Sequence, residues 1–400
     1  MSLTYLRTNE ELEKLIGMEF YATTTKGIGG SIKNELEDFV VVEDSFFQPS
    51  SNGQHLMIEI EKKNLSTTEV VNHISKVLGI QKKSIGIAGQ KDKHAVTVQK
   101  ISIPFIPNFN PSEIEIEGKL KVLRVERIRK KIRLGMLRGN RFTVTIRNSE
   151  PNKDIIQKTL KQLKEKGCPN FFGYQRFGIT RPNTHILGRA LLKKDFETFL
   201  DELLFKPYPK ESESSREGRR LAKEGKYDEA LKVMPKSLWI ERNVIRLLKR
   251  GLKPKEVVKR VDRSLLRFFI SAYQSYLFNI FVSKRMELGL PLNAMLDCDF
   301  VKAGNPAFPL VGFKSKIPHN VCGEIVRDVL ETEGVSQTEF KIKELKIYEK
   351  GNLRELPLTF KQFDYKIVGD KVVFSFWLKK GCYATVLIRE FCKNNFYERV

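Results

Sequence analysis

Cysteine and histidine are scarce in this 400-residue chain, which has five of each. No two cysteines form a C-x-x-C pair and their number is odd, so the sequence predicts reduced thiols rather than a zinc site or a disulfide framework. The histidines are scattered without the spacing of metal ligands. We therefore predict no bound metal.

Long apolar runs and acidic residues are also in short supply. We find no apolar run of about 18 residues and no apolar segment of a secretory signal near the start, which predicts a cytoplasmic protein without a membrane partner. Gly27–Gly30 (GIGG) lacks the strand-then-helix context of a dinucleotide fingerprint, so no nucleotide cofactor is predicted. Lysine and arginine number 71 against 48 acids, a net charge of +23 that favours a polyanionic partner.

The pattern of elements predicts an α+β protein of two domains, because 400 residues exceed the size at which a single core stops growing. Strand-like alternation dominates the first 180 residues, helical periodicity dominates roughly 183–337, and strand signals return after Phe340. Val122–Arg133 and Ala384–Ile388 are also interpreted as strands. The clearest alternating sets are Leu56, Ile58 and Ile60, then Phe142, Val144 and Ile146, and finally Val372, Phe374 and Phe376.

The segment Gly89–Gln99 (GQKDKHAVTVQ) carries the most chemical information. Asp92 lies between Lys91 and Lys93 in a glycine-led loop, and two adjacent ammonium groups favour an ionised carboxylate. Such a group acts as a nucleophile or a base. The alternative is a solvated turn without a chemical role.

Five blocks in order resemble the motifs of the TruD family of pseudouridine synthases, in its archaeal and eukaryotic branch. They are Ile32–Glu43, Gly89–Gln99, Lys131–Phe142, Pro169–Gly178 and Lys379–Phe391. The resemblance implies isomerisation of uridine to pseudouridine at position 13 of tRNA, with an extruded base and without a cofactor. Leu36 departs from the family, which usually has proline before the Glu-Asp-Phe triplet.

The resemblance also implies the domain plan and the reacting group. The fold would be a pseudouridine-synthase core with a mostly antiparallel mixed sheet, formed by 1–180 and 340–400. A helix-rich α+β insertion, 181–339, would interrupt it. Asp92 occupies the position of the family's catalytic aspartate. Attack at the ribose C1′, attack on the uracil ring and removal of the C2′ proton are all open to a carboxylate.

The substrate-binding residues implied by the family are Lys33, Asn140 and Phe142. Lys33 would support the Asp92 charge, with Lys91 as its competitor, and could otherwise be an ordinary surface lysine. Phe142 would stack on the target base, or pack in the core as strand phenylalanines usually do. Asn140 would bind the uracil edge or the Asp92 loop, or only form a turn with its neighbour.

Cations near these motifs are candidate RNA contacts. Arginines repeat along Val122–Arg133, where RNA phosphate or solvent could offset their repulsion. His94 could shuttle a proton or order its loop. The candidate contacts are Lys91, Lys93, Arg127, Arg129, Gln175 and Arg176.

Two other functions fit the charge. A non-catalytic RNA-binding or RNA-chaperone protein would need no reactive carboxylate. A glycosylase would release free base instead of an isomer. The sequence indicates no oligomeric state.

Overall fold

The computed structural model describes residues 3–394 and residue 396. Its strands are β1 (Leu6–Arg7), β2 (Phe20–Tyr21), β3 (Gly29–Ser31), β4 (Phe39–Asp44), β5 (His55–Lys63), β6 (Gly86–Ile87), β7 (Val96–Pro104), β8 (Leu120–Ile128), β9 (Gly139–Ser149), β10 (Phe300–Lys302), β11 (Asn305–Leu310), β12 (Lys341–Ile342), β13 (Ile347–Tyr348), β14 (Asn352–Glu355), β15 (Phe360–Val368) and β16 (Lys371–Lys379). Its helices are α1 (Glu11–Leu15), α2 (Thr67–Val77), α3 (Lys153–Lys166), α4 (Thr184–Lys193), α5 (Phe196–Leu200), α6 (Glu213–Lys223), α7 (Tyr227–Val233), α8 (Trp239–Lys249), α9 (Pro254–Arg260), α10 (Arg263–Glu287), α11 (Val321–Thr332) and α12 (Ala384–Cys392).

The chain divides into two compact units. One contains the described residues up to Thr24 together with Lys161–Pro357, and the other contains Thr25–Leu160 with the described residues from Leu358 on. The predicted boundaries, at 180/181 and 339/340, differ from these positions. The division into a catalytic core and an insertion stays a prediction, and its residues 1, 2, 395 and 397–400 lie outside the described part.

The strand-rich unit is built on a sheet in the order β15-β16-β9-β4-β7-β5-β8, and in addition β3 pairs with β9 and β6 pairs with β7. All its pairings are antiparallel except that of β4 with β7. This confirms the predicted α+β fold with a mostly antiparallel mixed sheet. One face is covered near β5 by α2, whose Val70 and Ile74 pack against the buried isoleucines of β5 and β7.

The predicted strand alternation is confirmed where one face is buried. Leu56, Ile58 and Ile60 are at most 6% exposed. On β4 the more buried face carries Phe39, Val41 and Glu43, so a carboxylate continues an apolar row.

Two predicted strands are wrong in extent or type. β8 ends at Ile128, so Arg129 and Arg133 lie beyond it. Ala384–Ile388 begins helix α12, in which every residue from Ala384 to Cys392 is buried. A short apolar run has the same sequence pattern in a buried strand and a fully buried helix, which is why alternation misjudged it.

The helix-rich unit is organised around α10, which packs on α4, α11 and β11. Beside it lies the small antiparallel sheet β10-β11-β14. Among the described residues, α10 is the one helix that is long and apolar enough, by length and composition, to cross a membrane, although polar residues interrupt its apolar sequence. Of its most apolar window, 67% is buried inside the protein, which favours a core helix.

Candidate active site

Asp92 lies in the loop between β6 and β7, in the strand-rich unit. Its Oδ2 accepts a hydrogen bond from Lys33 Nζ at 3.0 Å. The side chain of Lys33 is only 7% exposed, whereas that of Asp92 is 39% exposed. The Asp92 carboxylate is therefore accessible to solvent, whereas the Lys33 side chain that pairs with it is buried.

Lys33 is held by the chain that precedes β4. Its backbone has the left-handed φ of 58°, and its Nζ lies 4.3 Å from the centroid of the Phe39 ring. The short 3-10 turn that follows is closed by reciprocal capping between Glu35 and Asp38. Arg147 on β9 donates to Asp38 at 2.8 Å. These contacts fix the turn from which Lys33 reaches Asp92.

Lys62 is a second cation at the loop, and it was missed by the sequence analysis. It is fully buried, and its Nζ donates to the backbone oxygens of Leu65 at 2.6 Å and Asp92 at 2.9 Å. Burial lowers the pKa of Lys62 to about 8, against the attraction of Asp92. The sequence alternation could have revealed it, because Lys62 follows Ile58 and Ile60 at every second position and so lies on the buried face of β5.

The lysines that flank Asp92 in the sequence pair with other acids. Lys91 Nζ donates to Glu43 at 2.8 Å, and both side chains are almost completely buried. Lys93 pairs with Glu69 at 2.8 Å, with both side chains about half exposed. Lys33, which is distant in sequence, is therefore the lysine whose ammonium contacts the Asp92 carboxylate.

Phe142 faces the same side of the sheet as Phe39 and Phe376. Its ring lies edge-on to Phe39 at 6.0 Å and stacked on Phe376 at 5.6 Å. It is 9% exposed. These contacts give Phe142 a packing role, and stacking on a target base stays a prediction.

Three buried polar atoms on this face have no hydrogen-bond partner among the described residues: Asn140 Oδ1, Thr97 Oγ1 and Gln99 Nε2. Asn140 lies opposite Glu43 in the β4–β9 register, and Thr97 lies opposite Val41 in the β4–β7 register. An unpaired buried polar atom costs about 1–3 kcal/mol. Groups of this kind are expected where water or a ligand completes the hydrogen bonding.

Arg127 and Arg129 lie at the far edge of the same sheet. The Arg127 guanidinium stacks on Phe105 at 3.8 Å and donates to the Gly53 oxygen at 2.6 Å. Arg129 is exposed and lies 3.3 Å from Ser50 Oγ. Neither forms an ion pair within the described residues, so no carboxylate there neutralises either charge. Arg129 is exposed, whereas Arg127 is partly buried.

Gln175 and Arg176 belong to the other unit, in the 3-10 turn Tyr174–Arg176. Arg176 donates to Ser275 Oγ at 3.1 Å, and its guanidinium lies 4.8 Å from the Phe268 ring centroid. The structure thus gives Arg176 contacts within its own unit. RNA contacts by both residues stay predictions.

Tertiary folding also assembles a group with metal-ligand chemistry that the sequence spacing did not reveal. Ligand atoms of Cys298, Asp299 and Cys322 lie within 4.8 Å of one another in the helix-rich unit. Arg285 pairs with Asp299 and lies 3.5 Å from Cys322 Sγ. A buried guanidinium at this distance opposes the binding of a cation.

Comparison with known proteins assigns a family to this arrangement. The model of the family described as tRNA pseudouridine synthase D (TruD) matches residues 15–307 and 301–391. A relative in Pyrobaculum islandicum, "Probable tRNA pseudouridine synthase D", is 38% identical over 95% of this chain and 96% of its own length. A relative of the same name in Methanosarcina mazei is 34% identical over 96% of this chain and 98% of its own length. The crystal structure of a TruD protein from that organism matches with a TM-score of 0.78 and 33% identity, over 97% of this chain and 99% of that one.

Proposed function

The chain belongs to the tRNA pseudouridine synthase D family, as its motifs predicted, and from this premise we propose that it converts uridine to pseudouridine at position 13 of tRNA. The observation that carries the proposal is the Asp92–Lys33 pair. The Asp92 carboxylate, at the family's catalytic position, is partly exposed, and it accepts a hydrogen bond of 3.0 Å from the Lys33 ammonium.

The reaction is an isomerisation, so atoms and electrons balance within the substrate. The bond between C1′ and N1 breaks, the uracil turns, a bond between C1′ and C5 forms, the C5 proton leaves, and N1 takes up a proton. Asp92 acts by attack at C1′, by attack on the ring, or by removing the C2′ proton. All three need an ionised carboxylate in contact with an extruded nucleotide, which costs a few kcal/mol to unstack.

Lys33 and Lys62 position the reacting group in this proposal. Lys33 stabilises the Asp92 charge and, because its stem is buried, keeps one geometry. Lys62 fixes the loop through the Asp92 carbonyl. Fixed dipoles and charges of this kind contribute because they need no reorganisation during the reaction.

Asn140 and Phe142 form the base-binding surface. The unpartnered Oδ1 of Asn140 is an acceptor suited to the N3–H of uracil. Phe142 offers a ring already ordered by Phe39 and Phe376. A preformed aromatic surface lowers the cost of holding an extruded base, since stacking contributes roughly 1–3 kcal/mol.

The excess of 23 positive charges supports a tRNA substrate. We include Arg127, Arg129 and Lys93 among the phosphate contacts of the strand-rich unit, and Gln175 with Arg176 as contacts from the other unit. The proposal also takes 1–180 with 340–400 as the catalytic core, 181–339 as the insertion, and the cytoplasm as the location.

The test is tritium release from a tRNA transcript labelled at C5 of uridine, followed by chemical mapping of pseudouridine. We expect stoichiometric release and a single modified site at position 13. Binding without release would indicate a non-catalytic RNA-binding protein. Free uracil would indicate a glycosylase, and either outcome would refute the proposal.

A further inference from the structure

A groove of about 360 Å³ lies in the strand-rich unit, where the chain leaves β4. Its walls include Phe46, Phe47, Pro49, Arg129, Lys130 and Met136. We call it the Phe46 groove. Its volume falls in the range of small-ligand sites.

The two neighbouring phenylalanines of this groove have opposite roles. Phe47 packs against the buried cluster that contains Met57 and Ile128. Phe46 points outward and is 70% exposed. An exposed aromatic ring is common alone, but a ring in a groove with other exposed apolar groups marks a binding surface. Here Met136 is 42% exposed and Leu134, in the same loop, is 74% exposed.

The charge of the groove points to a polyanion. Residues 127–138 include six lysines or arginines and no acid. Arg129 has a hydroxyl partner, Ser50, rather than a carboxylate. By contrast, the larger cavity of about 540 Å³ in this unit is lined by Glu61, Glu115 and Glu117 as well as lysines. That mixed charge gives no preference for phosphate.

Backbone hydrogen bonds tie the segments beside the Phe46 groove to those that lead to the candidate active site. Arg138 N donates to the Asp44 oxygen at 2.9 Å, and Gly135 N donates to the Ala88 oxygen at 2.8 Å. Asp44 follows Glu43, and Ala88 leads into the Asp92 loop. The basic loop itself runs on into β9, which carries Asn140.

We propose that this groove binds an unpaired nucleotide of the substrate RNA adjacent to the target uridine. Its base stacks on Phe46, and the phosphates beside it contact Arg129 and Lys130. This inference rests on the proposed function. An aromatic face with cations at its rim is the arrangement by which proteins hold single-stranded nucleic acid without reading its sequence.

The experiment uses a fluorescein-labelled, unmodified tRNA transcript in the Asp92→Asn background, which prevents turnover. We expect Phe46→Ala to raise the Kd about 5-fold to 150-fold, because stacking is worth about 1–3 kcal/mol per base. The ring is exposed, so its removal leaves folding intact. Trp239→Ala, which removes a 57% exposed aromatic from α8, is the matched control and should leave Kd unchanged.

Two further measurements separate the contributions. A transcript with 2-aminopurine beside the target should lose fluorescence on binding, and Phe46→Ala should abolish that quenching. Arg129→Ala with Lys130→Ala should lower the slope of log K against log salt by roughly 1.5, since each phosphate contact adds about 0.7–0.9.

Unchanged Kd and quenching in Phe46→Ala would overturn the inference. So would an equal loss of affinity for a blunt RNA duplex that has no unpaired base. A change in oligomeric state with normal RNA binding would assign the groove to a second copy of the chain. The proposed function fails separately, because in that case the wild-type protein releases no tritium from C5-labelled tRNA.

Discussion

Replacing Lys33 by methionine isolates the contribution of one cation to the Asp92 carboxylate. At 3.0 Å and an effective dielectric of about 20, the attraction has a ceiling of about 5 kcal/mol. Asp92 is 39% exposed, however, and solvent screening reduces pairs at open surfaces to about 0–1 kcal/mol. We therefore expect a loss of about 1–3 kcal/mol, which lowers the single-turnover rate about 5-fold to 150-fold.

The assay is single-turnover tritium release at saturating enzyme, with tRNA affinity measured separately. Methionine lacks the ammonium that lies 4.3 Å from the Phe39 ring centroid but keeps an unbranched side chain of similar size, so the Tm should change by only a few degrees. Lys93→Met is the matched control, because Lys93 adjoins Asp92 in sequence but pairs with Glu69. Because the enzyme is saturating, loss of the proposed phosphate contact of Lys93 should lower tRNA affinity but change the single-turnover rate less than about 2-fold.

A wild-type rate in Lys33→Met would refute this reasoning. An equal loss in Lys93→Met would also refute it, since the effect would then reflect net charge near the loop. Lys33→Arg should recover part of the rate, because it restores the charge with a different reach.

Three further perturbations test the surroundings of Asp92. Lys91→Met should lower the free energy of unfolding by about 3–5 kcal/mol in urea denaturation, because it leaves Glu43 buried and unpaired, and Glu43→Leu in the same chain should restore much of it. Burial lowers the pKa of Lys62 to about 8, so the unfolded chain binds more protons between about pH 8 and 10.4. The stability of the wild type relative to Lys62→Met should therefore rise with pH across that window, by at most about 1.4 kcal/mol per pH unit, and stay level below it; a flat difference would contradict the assignment. Phe142→Leu should slow turnover more than it weakens tRNA binding, and equal losses would leave Phe142 only its packing role.

Hydrophobic alternation in the sequence correctly predicted the strands that have one face more buried than the other. β5, β9 and β16 have one buried, mostly apolar face and one less buried face, and the structure confirms them as strands. The motif around Asp92 identified the family, which the comparisons confirm. The same criterion explains why Ala384–Ile388 was wrongly predicted as a strand. Helix α12 is buried on all sides, so its sequence shows no contrast between two faces.

Contacts distant in sequence could not be predicted from local patterns. Lys33 lies 59 residues from Asp92, and the flanking lysines that appeared to neutralise Asp92 pair with Glu43 and Glu69. Ion pairs depend on where side chains point after the strands have assembled. A motif shared with a family locates such residues, but only the fold assigns their partners.

The start of the chain also makes contacts that are distant in sequence. The described residues up to Thr24 group with Lys161–Pro357, and the assignment of 1–180 to the catalytic core stays a prediction. Asn279 on α10 donates to the Ile16 oxygen at 2.9 Å, and Ser283 donates to the Gly17 oxygen at 2.8 Å. These hydrogen bonds join positions more than 260 residues apart.

The most direct measurement is pseudouridine formation by Asp92→Asn in a single turnover on a tRNA transcript. The asparagine keeps the size of the side chain but has neither the charge nor the basicity of the carboxylate. We predict no product, with tRNA affinity within a few-fold of the wild type. Pseudouridine at a rate near that of the wild type would contradict the account, because another group would then act on the uridine.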